Sequence, residues 1–171
     1  MRTKLAKIEL LLLDVDGVLT DGNITYSDSG EQIKSFNSKD GLGMRLLMDA
    51  GIDVGIITGR KSKALEHRCE NLGITLLFDN IKDKSTALDK IISRTGISAK
   101  KIAFAGDDLI DLPVLKRVGV SFCVQDASLD IQNHCDIITN QKGGHGAVRE
   151  ICENILKAKG LWEFILNKYL S

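Results

Sequence analysis

Two short acidic runs in this sequence have the residue types and spacing to bind a cation and to transfer protons. The first run, DVDGVLTDG, begins with Asp14 and places Asp16 two residues further on. Residues two apart in an extended chain share one face, so both carboxylates can point into the same small volume. The second run, GDDLID, supplies Asp107. If both runs end neighbouring strands, at least three carboxylates converge.

Carboxylates that converge from the two runs require a compensating positive charge. Two unit charges about 4 Å apart repel by about 4 kcal/mol at an effective dielectric near 20. That repulsion is a large part of the free energy that holds a typical domain folded. The group offers only oxygen ligands, with no histidine or cysteine nearby in the sequence. Few carboxylates combined with a phosphate suit magnesium better than calcium, so the sequence predicts a Mg²⁺ site where the two runs meet, at Asp14, Asp16 and an aspartate of GDDLID.

A third motif, ITGR, and a later lysine have the composition of a phosphate site. Thr58 supplies a hydroxyl, and the backbone beside Gly59 and Arg60 supplies free N–H groups. Such groups bind phosphate oxygens well when an ammonium lies close to them. Either Lys82 or Lys84, at the start of the next helical pattern, is placed to supply that charge.

Composition limits the classes of protein to which this chain can belong. A chain of 171 residues with 43% hydrophobic residues suits one domain over residues 1–171, which would bury roughly 70% of its unfolded surface. Lys plus Arg equals Asp plus Glu at 23 each, so no net charge attracts nucleic acid or an anionic membrane. The apolar runs are shorter than the roughly 18 residues of a membrane span. The four cysteines lack CxxC or zinc spacing, which predicts idle thiols in a reduced, cytoplasmic protein.

Apolar runs alternate with amphipathic helical patterns, which predicts an α/β fold. The predicted strands are 8–13, 54–57, 76–78, 102–105, 122–124 and 137–138, and the predicted helices are 43–49, 63–71, 85–94, 112–117 and 147–158. This alternation is typical of a doubly wound, mostly parallel Rossmann-like sheet with helices on both faces. The carboxyl ends of its strands meet at one edge, and Asp14, Thr58, Asp79, Asp107 and Asp126 each follow a predicted strand.

Residues 23–37, NITYSDSGEQIKSFN, interrupt this rhythm. Two β-prone arms, 24–26 and 33–36, flank a Ser-Asp-Ser-Gly turn, which predicts a small β-hairpin inserted after the first strand. An isolated hairpin is marginally stable in water, so this one is expected to pack on a neighbour. Residues 160–171 have the pattern of a short amphipathic helix at the C-terminal tail.

The motifs together resemble those of a known superfamily. In chain order, DVDGVLTDG, ITGR, a lysine and GDDLID match the four motifs of the haloacid dehalogenase superfamily. The stretches NSKDGLGMRLLMDAGIDVGIITGRKS, GDDLIDLPVLKRVG and GGHGAVREIC resemble its small-capped branch, which hydrolyses 3-deoxy-D-manno-octulosonate 8-phosphate. The resemblance covers residues 8–159.

The resemblance implies a role for each motif residue. Asp14 is the expected nucleophile, and Asp16 is the expected general acid and base, with its backbone carbonyl on magnesium. Thr58 would bind the phosphate through its hydroxyl, Lys84 would neutralise charge, and Asp107 would ligate the metal. Lys84 is preferred to Lys82 because the family's lysine directly opens the helix.

The implied activity is hydrolysis of a phosphorylated eight-carbon keto sugar acid that supplies the inner core of lipopolysaccharide. A nine-carbon keto acid phosphate of the sialic-acid type is the alternative substrate, because the motifs read the phosphate and not the sugar. A catalytically silent oligomerisation or regulatory domain is the alternative of another class, although it predicts the loss of a chemical residue. The resemblance also implies a homotetramer joined through the hairpin. The tail 160–171 departs from the glycine-containing tails of that branch.

Several neighbouring residues have two interpretations each. Arg60 either holds a substrate carboxylate or pairs with a structural acid. Asp108 either caps a helix or belongs to the metal site, and Asp111 is a candidate for positioning the metal ligands. The GGHG loop, residues 143–146, either binds an anion or simply starts the last long helix, where His145 is read as a polar residue.

Overall fold

The structure is a computed structural model that describes residues 1–170, so Ser171 of the predicted tail lies outside the described residues. Its strands are β1 (Leu10–Leu13), β2 (Thr25–Tyr26), β3 (Gln32–Ile33), β4 (Asp53–Ile57), β5 (Leu76–Phe78), β6 (Ile102–Gly106), β7 (Val120–Cys123) and β8 (Ile137–Ile138). Its α-helices are α1 (Arg2–Leu5), α2 (Ser38–Asp49), α3 (Lys63–Leu72), α4 (Lys84–Thr95), α5 (Leu112–Leu115), α6 (Leu129–Gln132), α7 (Ala147–Ala158) and α8 (Trp162–Leu170). Two 3₁₀ turns cover Ala99–Lys101 and Leu109–Asp111.

A parallel sheet organises the described chain. Its strand order is β5-β4-β1-β6-β7-β8, and every neighbouring pair runs parallel. The chain leaves β1 towards β4 and β5 and then returns to place β6 on the other side of β1. Open α/β sheets bind ligands at such a switch point, outside the carboxyl ends of the strands. The predicted Rossmann-like fold class is therefore confirmed.

The central strand β1 shows that helices cover both faces of the sheet. Successive residues of a strand point to opposite faces, yet Leu10–Leu13 are all fully buried. Helices α1, α2, α7 and α8 pack together in one group, and α4 and α5 in another. The buried apolar side chains of strands and helices form one cluster. The parallel pairing of β1 with β6 places the carboxyl ends of these two strands side by side.

Helix α2 begins five residues before the predicted start at residue 43. Asn37 caps it, because its side chain accepts hydrogen bonds from the backbone N–H groups of Lys39 and Asp40. The glycines at 41 and 43 contribute no apolar side chain, so the periodic pattern starts late although the helix does not. Helix α5 is two residues shorter than predicted, and the short helices α1 and α6 escaped the periodicity argument altogether.

The predicted hairpin insert is present with shorter arms. Strands β2 and β3 pair antiparallel, with Thr25 opposite Ile33 and Tyr26 opposite Gln32. The tail contains α8, in agreement with the predicted amphipathic helix. None of the helices in residues 1–170 is long and apolar enough to cross a membrane.

Candidate active site

The carboxyl ends of β1 and β6 bring the two acidic runs together. Leu13 lies opposite Ala105 in the parallel register, and the Asp14 backbone N–H donates to the Ala105 carbonyl at 3.0 Å. Asp107 lies two residues beyond Ala105. One carboxylate oxygen from each of Asp14, Asp107 and Asp111 lies within 4.8 Å of the other two.

Asp111 occupies a more central place than its motif position indicates. Its Oδ2 accepts from the backbone N–H groups of Asp107, at 3.0 Å, and Asp108, at 3.3 Å. Its Oδ1 accepts from Lys84 Nζ at 2.6 Å. The Asp108 side chain accepts from the Leu109 N–H at 2.7 Å, so it caps the 3₁₀ turn that carries Asp111. Asp111 thereby links the Asp107 backbone to the buried lysine.

Lys84 is the buried cation of this site. It opens α4, and its Nζ lies 2.7 Å from Asp14 Oδ1, between Asp14 and Asp111. Its side chain is 2% exposed and that of Asp111 is fully buried. Lys82, the other candidate lysine, is exposed. Asp14, Lys84, Asp107 and Asp111 are called the floor cluster below.

The floor cluster contains three carboxyl groups but only one ammonium. Its negative charge therefore exceeds its positive charge in a site that is largely buried. Burial raises the pKa of Asp14 to about 6, although Lys84 opposes the shift. Burial raises the pKa of Asp107 to about 8, and the negative charges of Asp14 and Asp111 raise it further. Burial alone would lower the pKa of Lys84, but Asp14 and Asp111 raise it above its ordinary value. A divalent cation held by carboxylate oxygens would relieve this repulsion, so the residues fit a hard metal ion.

The ITGR motif forms one wall of the cleft above the floor cluster. Thr58 follows β4 and is buried, and its backbone is fixed by hydrogen bonds to Phe78 and Ile81 on the neighbouring segment. Its Oγ1 accepts from the Arg60 N–H at 3.4 Å. The cleft has a volume of about 270 Å³ and is lined by Asp14, Asp16, Gly22, Ile24, Thr58, Gly59, Arg60, Asp107, Asp108 and Ile110. Asp79, which also follows a strand, is not among the lining residues.

Asp16 lies at the rim of the cleft between two cations. Lys34 Nζ donates to Asp16 Oδ1, and Arg60 Nε lies 3.4 Å from Asp16 Oδ2. Arg60 therefore pairs with an acid of the site itself in this structure. Lys34 was not predicted as a site residue, since no motif contains it. The signal available was the period-two alternation of the hairpin arm. Lys34, Asp16 and Arg60 are called the rim cluster below.

Glycines allow three chain segments to meet at the floor. Gly17 has a φ of +92°, and a Cβ at that position would overlap the Asp107 carboxylate. A Cβ on Gly143 would overlap the Gly17 carbonyl oxygen. The Gly143 N–H donates to Asp126 Oδ1 at 3.0 Å, and His145 Nδ1 lies 2.7 Å from the Gly143 carbonyl oxygen. The GGHG loop thus packs against the first acidic run through its backbone.

Comparisons with known proteins place this fold and cleft in a defined class. Residues 77–151 match the model of the haloacid dehalogenase-like hydrolase family. The chain is 45% identical over 158 residues to the 3-deoxy-D-manno-octulosonate 8-phosphate phosphatase KdsC of Salmonella typhi, covering 92% of this chain and 84% of that protein.

Two solved structures are similar over nearly the whole chain. A probable YrbI family phosphatase from Pseudomonas syringae superposes with a TM-score of 0.98 at 41% identity, covering 99% of this chain and 97% of the other. The second structure is a 3-deoxy-D-manno-octulosonate 8-phosphate phosphatase from Moraxella catarrhalis in complex with a magnesium ion, a phosphate ion and a KDO molecule. It superposes with a TM-score of 0.96 at 38% identity, covering 98% of this chain and 97% of the other.

The fold and the acidic cleft define the class as a phosphoric monoester hydrolase of the haloacid dehalogenase type. Within this class, the chain belongs to the 3-deoxy-D-manno-octulosonate 8-phosphate phosphatase family. The resemblance and the enzyme class predicted from the motifs are confirmed, and a silent regulatory domain is set aside. Phosphatases of this superfamily use Mg²⁺, which confirms the predicted cofactor.

Proposed function

We propose that this protein hydrolyses 3-deoxy-D-manno-octulosonate 8-phosphate in a Mg²⁺-dependent reaction that passes through an aspartyl-phosphate on Asp14. The observation that carries this proposal is the floor cluster, where Asp14 is buried in ion-pair contact with Lys84 and faces Asp107. The named activity of the 45% identical relative supports the substrate. The product of this reaction would supply the inner core of lipopolysaccharide.

The metal would be held by the carboxylates of Asp14 and Asp107 and by the backbone carbonyl of Asp16. When bound, Mg²⁺ offsets the negative charge of the phosphoryl oxygens. Asp111 contributes by fixing the backbone of Asp107 through its Oδ2. A partner of this kind orients a metal ligand without touching the reacting atoms.

Asp14 attacks phosphorus with a carboxylate oxygen, and the bond from phosphorus to the sugar oxygen breaks. Asp16 donates its proton to the departing sugar alkoxide. Asp16 then takes a proton from water, which attacks phosphorus, releases inorganic phosphate and regenerates the Asp14 carboxylate. Lys84 neutralises charge beside the transferring group, and Thr58 and Gly59 offer a hydroxyl and a backbone N–H from the cleft wall.

A substrate panel tests the proposed activity. The purified protein would be assayed with eight-carbon and nine-carbon keto acid phosphates and with simple sugar phosphates, each with Mg²⁺ and with excess chelator. We expect the highest kcat/KM for the eight-carbon substrate and loss of turnover with chelator. A preference for the nine-carbon substrate would replace the proposed substrate, and turnover insensitive to chelator would reject metal dependence.

We also propose a homotetramer joined through the hairpin in a cytoplasmic protein. The hairpin exposes Tyr26 and Ile33, at 57% and 53%, which gives a partner an apolar surface. The lack of CxxC or zinc spacing among the four cysteines is in keeping with a reducing compartment. Sedimentation should give four chains per particle, and Ile33→Asp should dissociate it; an unchanged tetramer would move the interface elsewhere.

A further inference from the structure

Lys34 is a buried cation that the proposed mechanism has not used. Its side chain is only 4% exposed, and its Nζ contacts Asp16 Oδ1. Arg60 meets the other oxygen of the same carboxylate, but its side chain is 51% exposed. Asp16 thus contacts a buried ammonium on one side and a solvent-exposed guanidinium on the other.

The hairpin carries Lys34 to this position in the same chain. Thr25 lies opposite Ile33, Ile24 directly precedes β2, and Lys34 directly follows β3. Ile24 lines the cleft. Ile33 is exposed, whereas the side chain of the next residue, Lys34, is buried against Asp16. Neighbouring residues of an extended chain point to opposite sides in this way. The insert therefore serves its own subunit's cleft as well as offering an outer surface.

A buried ammonium is stable only with a partner, so the contact restrains both groups. Removing an ammonium from water costs several kcal/mol unless an opposite charge compensates. Among residues 1–170, Lys34 and Arg60 are the cations within ion-pair distance of Asp16. The Arg60 contact is longer and open to water, where ion pairs are weak. The orientation of the Asp16 carboxylate therefore depends mainly on Lys34.

We propose that Lys34 is a positioning residue, which fixes the Asp16 carboxylate where it meets the leaving-group oxygen and the hydrolytic water. This inference rests on the proposed acid–base role of Asp16. Lys34 does not touch the transferring phosphoryl group; it acts through Asp16. Without it, proton transfer to the sugar alkoxide and from water becomes slow, while attack by Asp14 is left intact.

The test compares Lys34→Met with Lys39→Met, an exposed lysine five residues further along the chain. Each variant is assayed with an alkyl phosphate that the wild type hydrolyses and with p-nitrophenyl phosphate, whose phenolate leaves without a proton. For Lys34→Met we expect kcat on the alkyl phosphate to fall by about 100-fold, the lower range for general acid–base catalysis, with KM nearly unchanged. Lys39→Met should behave as wild type, and Lys34→Arg should recover part of the loss.

Rapid mixing with p-nitrophenyl phosphate separates positioning from loss of fold. Lys34→Met should release a stoichiometric burst of p-nitrophenolate and then turn over slowly, because Asp14 is phosphorylated but water is poorly activated. Equal losses on both substrates without a burst, or unchanged alkyl phosphate turnover, would overturn the inference. If the wild type prefers another alkyl phosphate, the proposed substrate fails but this comparison still decides the role of Lys34. If no phosphoenzyme forms on Asp14 in any variant, the proposed mechanism fails instead.

Discussion

The floor and rim clusters both place a carboxylate beside a buried lysine, but their other members differ in exposure to solvent. In the floor cluster, Lys84 and Asp111 are almost completely buried and are fixed by strand ends and a helix start. In the rim cluster, Asp16 is partly exposed, Arg60 is half exposed, and Lys34 comes from a two-stranded insert. In the proposed mechanism, the floor cluster faces the phosphoryl group and the rim cluster faces the sugar leaving group. The comparison separates a buried part of the cleft from a part that solvent reaches.

Removal of the proposed nucleophile, Asp14, is the test of the floor cluster with the largest expected effect. Asp14→Asn keeps the size of the side chain but removes the attacking carboxylate, so kcat should fall by about 10⁴-fold or more. Steady-state assays with circular dichroism would check that the fold is retained. Activity near the wild-type level in an Asp14→Asn sample that mass spectrometry finds free of deamidation would contradict a covalent mechanism.

Removing the floor cation should damage both activity and stability. Lys84→Met leaves Asp14 and Asp111 buried without their shared partner, which should lower the free energy of unfolding by about 3–5 kcal/mol. The loss of charge neutralisation should also reduce kcat by about 10²- to 10³-fold. Urea denaturation and kinetics measure the two effects separately.

Lys82→Met is the matched control for Lys84, because Lys82 is exposed and two residues away. Its unfolding free energy and kcat should stay near the wild-type values. If both lysine variants lose activity equally, the assignment of the phosphate-site cation to Lys84 is wrong.

The raised pKa values in the floor predict a pH-dependent metal affinity. The ordinary aspartate value is 3.8, and the folded values are about 6 for Asp14 and about 8 for Asp107. Both pKa values are raised on folding. The metal-free protein is therefore stabilised by these protons at low pH and loses that stabilisation as pH rises through about 6 and about 8.

Mg²⁺ competes with those protons, so it should bind more tightly as pH rises. We expect the Mg²⁺ dissociation constant to fall by about tenfold or more between about pH 6 and about pH 8, with protons released on binding. Calorimetry in buffers of different ionisation enthalpy measures both quantities. A pH-independent affinity without proton release would show that these carboxyls do not bind the metal.

A glycine substitution tests how closely the floor is packed. Gly17→Ala places a methyl group on the Asp107 carboxylate, in a backbone region that disfavours side chains. Displacement of this ligand should weaken Mg²⁺ binding by about tenfold, the scale of effects on ligand orientation. Gly30→Ala has a similar positive φ but open space around it, so it reports backbone strain alone. Equal Mg²⁺ affinities in the two variants would remove the packing argument.

Removing Arg60, the exposed cation of the rim cluster, should have the smallest effect on activity. Arg60→Ala removes a half-exposed partner of Asp16 while Lys34 remains. Exposed ion pairs contribute up to about 1 kcal/mol, so we expect about a threefold change in kcat/KM. A loss as large as that of Lys34→Met would mean that Arg60 binds substrate directly, which steady-state kinetics with and without a substrate carboxylate would reveal.

Much of the fold and of the cleft could be predicted from the sequence because several cleft residues directly follow buried strands. Buried parallel strands are continuous apolar runs, and the residues directly after them, Asp14, Thr58 and Asp107, converge by topology alone. Asp111 was harder to interpret, since its contacts with Lys84 depend on a 3₁₀ turn that no periodic pattern marks.

The rim was not predictable in the same way. Lys34 lies in a short hairpin, where one residue of register decides whether a side chain faces the cleft or solvent. Its neighbours Ile33 and Ile24 differ in just this respect. The early start of α2 was also not predicted. The capping side chain of Asn37 marks this start, and no apolar stripe does.

The close fit of Gly143 against Gly17 has a consequence for biosynthesis. The two residues are far apart in the sequence. The loop around Gly143 packs against the turn at Gly17, and this turn lies against the Asp107 carboxylate. During translation the amino-terminal part of the chain emerges first, and contacts between distant segments form last. A growing polypeptide therefore contains Asp14 long before the loop that packs against Gly17 has been synthesised. Activity should therefore appear only after residues 143–146 have been synthesised and have packed against the first acidic run.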